Sequence, residues 1–294
     1  MSQKAVSIVL GTYNRLNFLK LTIESIRNEQ RLIKLPTEII VIDGGSTDGT
    51  ISWLAKQRDV ITIIQHNRGI WGGKKIERRS WGYFMNLGFK SAQGKYICMI
   101  SDDCLIIPDA IKNGYNLFEE QLKNNKKIGA LAFFYRNIPF FYKDWKKSGT
   151  YFVNKVFDKF YLNHGLFLKS ALEEVDYIDE ERYKFYCADV DLSFKLQEKN
   201  YACMPAPNSF IEHYPHANVT VRKKNEGPSV DDFYALQKKW GVLTPQEKSF
   251  SSIQKVFFDK DKTVQKFSRA HFTNVGLWSQ IIKNSRIFRT LGRK

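Results

Sequence analysis

Four apolar runs within the first hundred residues constrain this chain most. AVSIVL (5–10), EIIVID (38–43), VITIIQ (60–65) and KYICMI (95–100) are each strand-length, and each gives way to a polar or glycine-bearing loop. A strand with one wet face alternates apolar and polar residues, so runs this continuous predict strands covered on both faces. Helical spacing lies between them. Phe18, Leu19, Thr22, Ile23 and Ile26 recur three and four apart, DGGSTDGT sets Ser, Thr and Asp where a helix starts near Thr50, and another helix runs to about Ala92. Strands alternating with helices predict an α/β fold around a parallel sheet. Ligands of such sheets gather at the carboxyl ends of the strands. Thr12 to Arg15, Asp43 to Asp48, Asn67 to Arg79 and Asp102 with Asp103 should therefore share one rim.

The pattern changes near residue 128. IGALAFFYR and FFYKDWKKSGTYF read as further strands, antiparallel and at an edge; NHGLFLKSALEEV reads as a strand entering a helix, and YCADVDLSFKLQEKNY as a helix. ACMPAPNSFIEHYPHAN is extended and DDFYALQKKWG helical. With 294 residues, 43% of them hydrophobic, the chain can bury a core without staples. Its 4 cysteines include no CxxC pair, which favours reduced, buried thiols over disulfides or a zinc knuckle. No stretch reaches the roughly 18 apolar residues of a membrane span, and the first apolar run is too brief for a signal peptide, so the expected location is cytoplasmic.

One stretch poses a chemical question. In CMISDDCLIIPD (98–109), an apolar strand runs into Asp102 and Asp103, two like charges with no basic residue beside them in sequence. Aspartates end strands in ordinary turns. They also hold divalent cations, which remove the repulsion and can carry a phosphate.

SIVLGTYNR, VIDGGSTDGT, GKYICMISDDCLIIPD and CADVDLSFKL, in that order and spacing, resemble the family 2 glycosyltransferases. The resemblance covers roughly residues 5–215. It implies a GT-A fold, a Rossmann-like, mostly parallel central sheet with helices on both faces. A nucleotide-binding half would occupy about 1–105, an acceptor half about 106–215, and a basic, mainly helical extension 216–294. The implied activity is inverting transfer of a sugar, of hexosyltransferase type, from a nucleotide diphosphate donor to an acceptor hydroxyl of a glycan or lipid-linked glycan.

The resemblance also assigns roles. Thr12, Tyr13, Arg15 and Asp43 would surround the nucleotide. A carboxylate at Asp43 accepts the imino hydrogen of uracil, or the same edge of thymine, and Tyr13 offers a stacking face. Asp102 would reach the ribose and Asp103 would bind Mn²⁺ or Mg²⁺ on the diphosphate. Such oxygen ligands suit hard cations, and nothing in the sequence suits zinc. His213 is a candidate second ligand. Asp189 and Asp191 resemble the acidic pair facing the acceptor, with Asp189 the preferred general base, although Ala188 stands where many members carry Glu. Asp48 reads as a helix-start residue.

Relatives commonly place Arg before the residue equivalent to Asn86, where this chain has Met85. Lys74, Lys75, Arg78 and Arg79, in the glycine-hinged loop NRGIWGGKKIERRS, could supply that charge to the diphosphate. Net charge is +16, and from His216 onward 16 Lys and Arg face 6 Asp and Glu. Such a field attracts polyanions. The competing function is accordingly a binding protein for nucleic acid or anionic membrane, acting through its basic tail. No RNA-binding signature accompanies the charge, and the acidic pairs would repel phosphate, so no nucleic-acid partner is expected. Residues 275–291, with Trp278, Ile281, Ile282, Phe288 and Leu291 on one side, fit a peripheral contact with anionic membrane or packing on the body. A homo-oligomer is left open.

Overall fold

A computed structural model provides the structure, describing residues 5–67, 69–137, 150–156, 158–214, 219–241 and 250–256. Its centre is β1 (Val6–Thr12), buried along nearly its whole length. β2 (Thr37–Asp43) lies parallel on one side, with Val6 opposite Thr37 and Thr12 opposite Asp43, and β3 (Val60–Ile64) lies parallel beyond it. The connection α1 (Leu16–Ile33) buries Leu19, Ile23, Ile26 and Ile33. That stripe is the one the sequence spacing predicts, and burying each such side chain contributes about 1.5–3 kcal/mol. Lys34 ends the helix in a left-handed conformation, φ 52°. Between β2 and β3 stands the short α2 (Thr50–Leu54).

The segment read as a loop before the next helix contains a small hairpin, β4 (Ile70–Trp71) and β5 (Lys74–Lys75), turning at Gly72 and Gly73. α3 (Trp81–Ser91) follows, capped by the Ser80 hydroxyl, which accepts from the Tyr83 amide at 3.1 Å. β6 (Tyr96–Met99) then pairs parallel with the other flank of β1.

Beyond β6 the sheet becomes mixed. β7 (Cys104–Ile106), α4 (Ala110–Lys123) and β8 (Ile128–Asn137) lead to β9 (Thr150–Val156), β10 (Lys159–Phe160) and β11 (Gly165–Leu168). β11 inserts antiparallel between β6 and β8. Gly165 permits this: its φ is +151°, and a Cβ there would stand 2.0 Å from the Leu131 carbonyl oxygen. After α5 (Lys169–Glu174) and α6 (Ala188–Glu198), β12 (Ala202–His213) runs parallel to β8 with a register shift between Ala206 and Phe210, and its end pairs antiparallel with β7. α7 (Val219–Trp240) and β13 (Phe250–Val256), which pairs with β9, lie beyond the boundary expected at 215.

All of these elements belong to one compact unit, Met1–Phe257. Residues 275–291 lie outside the described residues. Among those described, no helix is long and apolar enough to cross a membrane.

Candidate active site

The two adjacent acids sit in a tight turn between β6 and β7, closed by the Cys104 amide donating to the Ser101 carbonyl at 3.2 Å. Asp102 and Asp103 are 3% and 4% exposed. They do have a basic partner, contrary to the sequence reading: Arg15 Nη1 bridges Asp102 Oδ1 and Asp103 Oδ2, both at 2.9 Å. Arg15 is 87 residues away in sequence from Asp102, and β1 lying beside β6 brings it there. Thr12 donates its hydroxyl to Asp102 Oδ2 at 2.8 Å, and Thr22 donates to the Asp102 carbonyl at 2.8 Å.

Burial raises the Asp102 carboxyl, with Arg15 opposing and Asp103 adding to the rise. Burial acts on Asp103 in the same sense, but Arg15 and His213 outweigh it and hold that carboxyl well below the usual range. Asp103 thus carries its charge with one oxygen to spare. Oδ1 is buried without a hydrogen-bond partner, and His213 Nε2 lies 3.4 Å from it. Register explains the approach, because His213 pairs with Cys104 and the Tyr214 amide donates to the Asp103 carbonyl at 2.9 Å.

Asp43 shows a similar vacant valence at the carboxyl end of β2. Its Oδ1 accepts from the amides of Gly45 and Ser46 at 2.8 and 2.7 Å, whereas Oδ2 is buried without a partner. Tyr13 packs over Gly44, where a Cβ would meet Tyr13 Cδ2 at 3.3 Å. The loops after β1 and β2 are stitched together: Asn14, at φ 52°, donates its amide to Ser46 Oγ and accepts from the Thr47 amide through Oδ1. Asp48 starts two helices, accepting from the Leu16 amide at 3.0 Å and the Thr50 amide at 3.1 Å.

On α6 the two candidate bases have different surroundings. Asp191 is fully buried. Its Oδ1 accepts from the Tyr183 hydroxyl at 3.0 Å and Trp240 Nε1 at 2.8 Å, and Lys239 Nζ reaches Oδ2 at 3.0 Å. Those donors fasten the end of α7 to α6. Asp189 is part-exposed, with Oδ2 accepting from Asn163 Nδ2 at 3.2 Å and Oδ1 from the Val190 amide at 2.9 Å. Burial raises its carboxyl to about 6, against those hydrogen bonds.

Residues 7–172, more than half of the chain, match glycosyl transferase family 2. The chain belongs to that family. The uncharacterized glycosyltransferase RC0461 of Rickettsia conorii (strain ATCC VR-613 / Malish 7) is 29% identical over 122 residues, 41% of this chain and 18% of that relative. Among solved structures, mannosyltransferase PcManGT from Pyrobaculum calidifontis, in complex with GDP-Man and Mn²⁺, superposes with a TM-score of 0.55 at 17% identity, covering 81% of this chain and 65% of that one. S. aureus TarS 1-349 with UDP-GlcNAc superposes with a TM-score of 0.51 at 15% identity, over 72% and 59%. The chain thus spans less than two thirds of each of these proteins. The shared architecture is the GT-A fold expected from the motifs.

Met85 is 1% exposed and packed inward. Asn86 is structural, exchanging hydrogen bonds with both main-chain groups of Ile178. Lys74 and Lys75 are exposed on the β4–β5 hairpin. Arg78 lies against Gly69, and Arg79 stacks 5.1 Å from the Tyr83 ring while Asn67 clasps its backbone.

Sequence reasoning missed several partners. Asn163 belongs to a connection with no motif, and Asn154, which donates to the hydroxyls of Tyr135 and Tyr161, sits on β9 without any motif around it. Asp232 accepts from the amides of Lys184, Phe185 and Tyr186, which shapes the entry to α6. Cys104, His164 and His213 also converge, against the expectation that nothing here suits zinc. Their separation in sequence hid them.

Proposed function

We propose that the chain transfers a glycosyl group from a nucleotide diphosphate sugar to an acceptor hydroxyl of a glycan or lipid-linked glycan, with inversion. The observation that carries this reading is the pair of buried carboxylate oxygens without hydrogen-bond partners, Asp43 Oδ2 and Asp103 Oδ1, at the carboxyl ends of β2 and β6, the two strands that flank β1 in parallel. Buried polar atoms are nearly always satisfied, so a carboxylate oxygen left over at the ligand-binding end of a strand calls for a partner. Asp43 Oδ2 suits an N–H on a base edge, with uracil favoured and thymine alike; guanine presents such a donor as well. Asp103 Oδ1, with His213 Nε2 beside it, suits a divalent cation. Mn²⁺ or Mg²⁺ held there supplies positive charge against the diphosphate as negative charge develops on it.

The chain's own groups carry the remainder. Asp102, hydrogen-bonded by Thr12 and Arg15, keeps one face of the turn rigid, and its proposed role is to meet the ribose. Asp189 takes the proton from the acceptor hydroxyl, whose oxygen attacks the anomeric carbon while the nucleotide diphosphate departs. A base near 6 is ionised at neutral pH yet retains proton affinity. Lys74 and Lys75, exposed on their hairpin, and Arg78 and Arg79 of the same glycine-hinged loop are proposed to meet the diphosphate.

The test is thermal stabilisation by UDP, dTDP and GDP, each with Mn²⁺, Mg²⁺ or EDTA. Metal-dependent stabilisation by one of them, lost in Asp103→Asn, is expected. RNA binding without metal and no response to any nucleotide would replace this reading with the tail-binding one.

A further inference from the structure

His164 precedes Gly165, the residue that lets β11 press against β8, and its ring is carried into the interior, 1% exposed. Among the described residues, its one side-chain hydrogen-bond partner is a thiol: Cys104 Sγ lies 3.7 Å from Nε2 and 3.9 Å from Nδ1. Cys104 opens β7 and is itself fully buried. The His213 ring stands edge-on to that of His164, centroids 5.1 Å apart. One ligand atom from each of Cys104, His164 and His213 fits within 4.8 Å of the others. His213 Nε2 also lies 3.4 Å from the buried Asp103 Oδ1, which stands outside that group.

These separations resemble the edges of a coordination tetrahedron. With zinc at about 2.3 Å from sulfur and about 2.0–2.1 Å from nitrogen or oxygen, ligand atoms at tetrahedral angles stand roughly 3.3–3.6 Å apart. The Cys104–His164 edge, 3.7 Å, lies close to that range, and the ligand atom of His213 stands within 4.8 Å of both. The His213 side chain is 19% exposed, which leaves that corner accessible from solvent. A sulfur and two imidazoles select a borderline ion, whereas Mg²⁺ favours oxygen throughout.

We propose that Cys104, His164 and His213 form three corners of a tetrahedral transition-metal site, with water at the fourth, that takes Zn²⁺ or Co²⁺ from solution without any nucleotide, the Cys104 thiol releasing its proton to water as the metal–sulfur bond forms. The site does not depend on the donor reading. It shares His213 with the cation proposed for the diphosphate, so an ion seated among the thiol and imidazoles withholds that histidine from that role.

Co²⁺ titration of the full-length, nucleotide-free protein tests this. The expected result is intense tetrahedral d–d absorption with a near-ultraviolet thiolate-to-metal charge-transfer band, saturating at one equivalent, reversed by Zn²⁺ and unaffected by excess Mg²⁺. Cys104→Ser should remove the charge-transfer band, and His164→Gln should weaken Co²⁺ binding at least about tenfold, since even outer partners of a ligand matter that much. Weak octahedral absorption alone, or a charge-transfer band that survives in Cys104→Ser, would overturn the proposal. If the variants do not fold, zinc X-ray absorption on the unmodified protein decides: one sulfur neighbour at about 2.3 Å supports the site, and an all-oxygen or nitrogen shell rejects it. Nucleotide stabilisation with Mn²⁺, measured separately, can fail or succeed without altering either outcome.

Discussion

Asp189 and Asp191 are two positions apart on one helix, and their hydrogen bonds assign them different work. All donors around Asp191 come from Tyr183, Lys239 and Trp240, so its carboxylate is consumed by fastening α7. Asp189 is part-exposed and keeps lone pairs available. Asp189→Asn is therefore expected to lower kcat by about 10²–10⁴-fold with a nearly unchanged melting temperature. Asp191→Asn, which leaves Lys239 with Asp179 at 3.3 Å as its remaining carboxylate, should cost about 2 kcal/mol, read as a lowered denaturation midpoint. The pH profile follows from Asp189 being raised to about 6 by burial. Below that value the base is protonated and cannot accept; above it the base is ionised. The rate should climb tenfold per pH step below about 6 and level off above it. A rate independent of pH between 5 and 7 would remove Asp189 from the role.

At the scale of elements, α4 shows a cap supplied from elsewhere in the chain. Its preceding residue Asp109 is left-handed at φ 70° and gives no side-chain cap. Glu29 of α1 takes over, accepting from the amides of Asp109 and Lys112, both at 2.9 Å. Glu29→Ala is expected to destabilise by about 1–2 kcal/mol in urea denaturation, because two helix-start donors lose their acceptor. Burial raises the Glu29 carboxyl to about 7, the amide hydrogen bonds opposing it. The folded state thus binds this proton more tightly than the unfolded chain. Its contribution is complete below the unfolded value of about 4.3 and is lost as pH rises through about 7. Glu29→Gln, which cannot ionise, should flatten that portion of the stability profile. Strands and helices with clean periodicity were legible, and α1, β1, β2, β3, α3, β6, β11 and α6 stand where the pattern places them. The β4–β5 hairpin and β7 were not, since two- and three-residue strands carry no period of their own.

For the whole molecule, the net charge of +16 is carried unevenly, and its most basic part includes residues outside the described structure. We propose that residues 275–291 attach the protein to anionic membrane. Full-length protein should float with vesicles containing anionic lipid and lose that behaviour in high salt, and a chain ending before Asn274 should not float. Equal flotation of the two would remove the idea. Donor binding acts on the same scale. A nucleotide at a hundred times its dissociation constant stabilises by about 2.7 kcal/mol, so the melting temperature should rise with ligand concentration and return to baseline on chelation.

The amino-acid order alone determined the alternation of strands and helices, the four motifs that place the chain in its family, and which acids close which strands. Those properties are local: continuous burial writes itself as an apolar run, and a strand end writes itself as a loop residue. Tertiary structure alone decided which acids are spoken for. Arg15 reaches Asp102 and Asp103 because β1 and β6 are neighbours, Trp240 and Lys239 claim Asp191 because α7 folds back on α6, and Cys104 meets His164 and His213 because β11 and β12 converge beside the same turn. Side-chain partnership depends on distance in space. Sequence records only order along the chain, so contacts between residues 48 to 109 positions apart leave no trace in it.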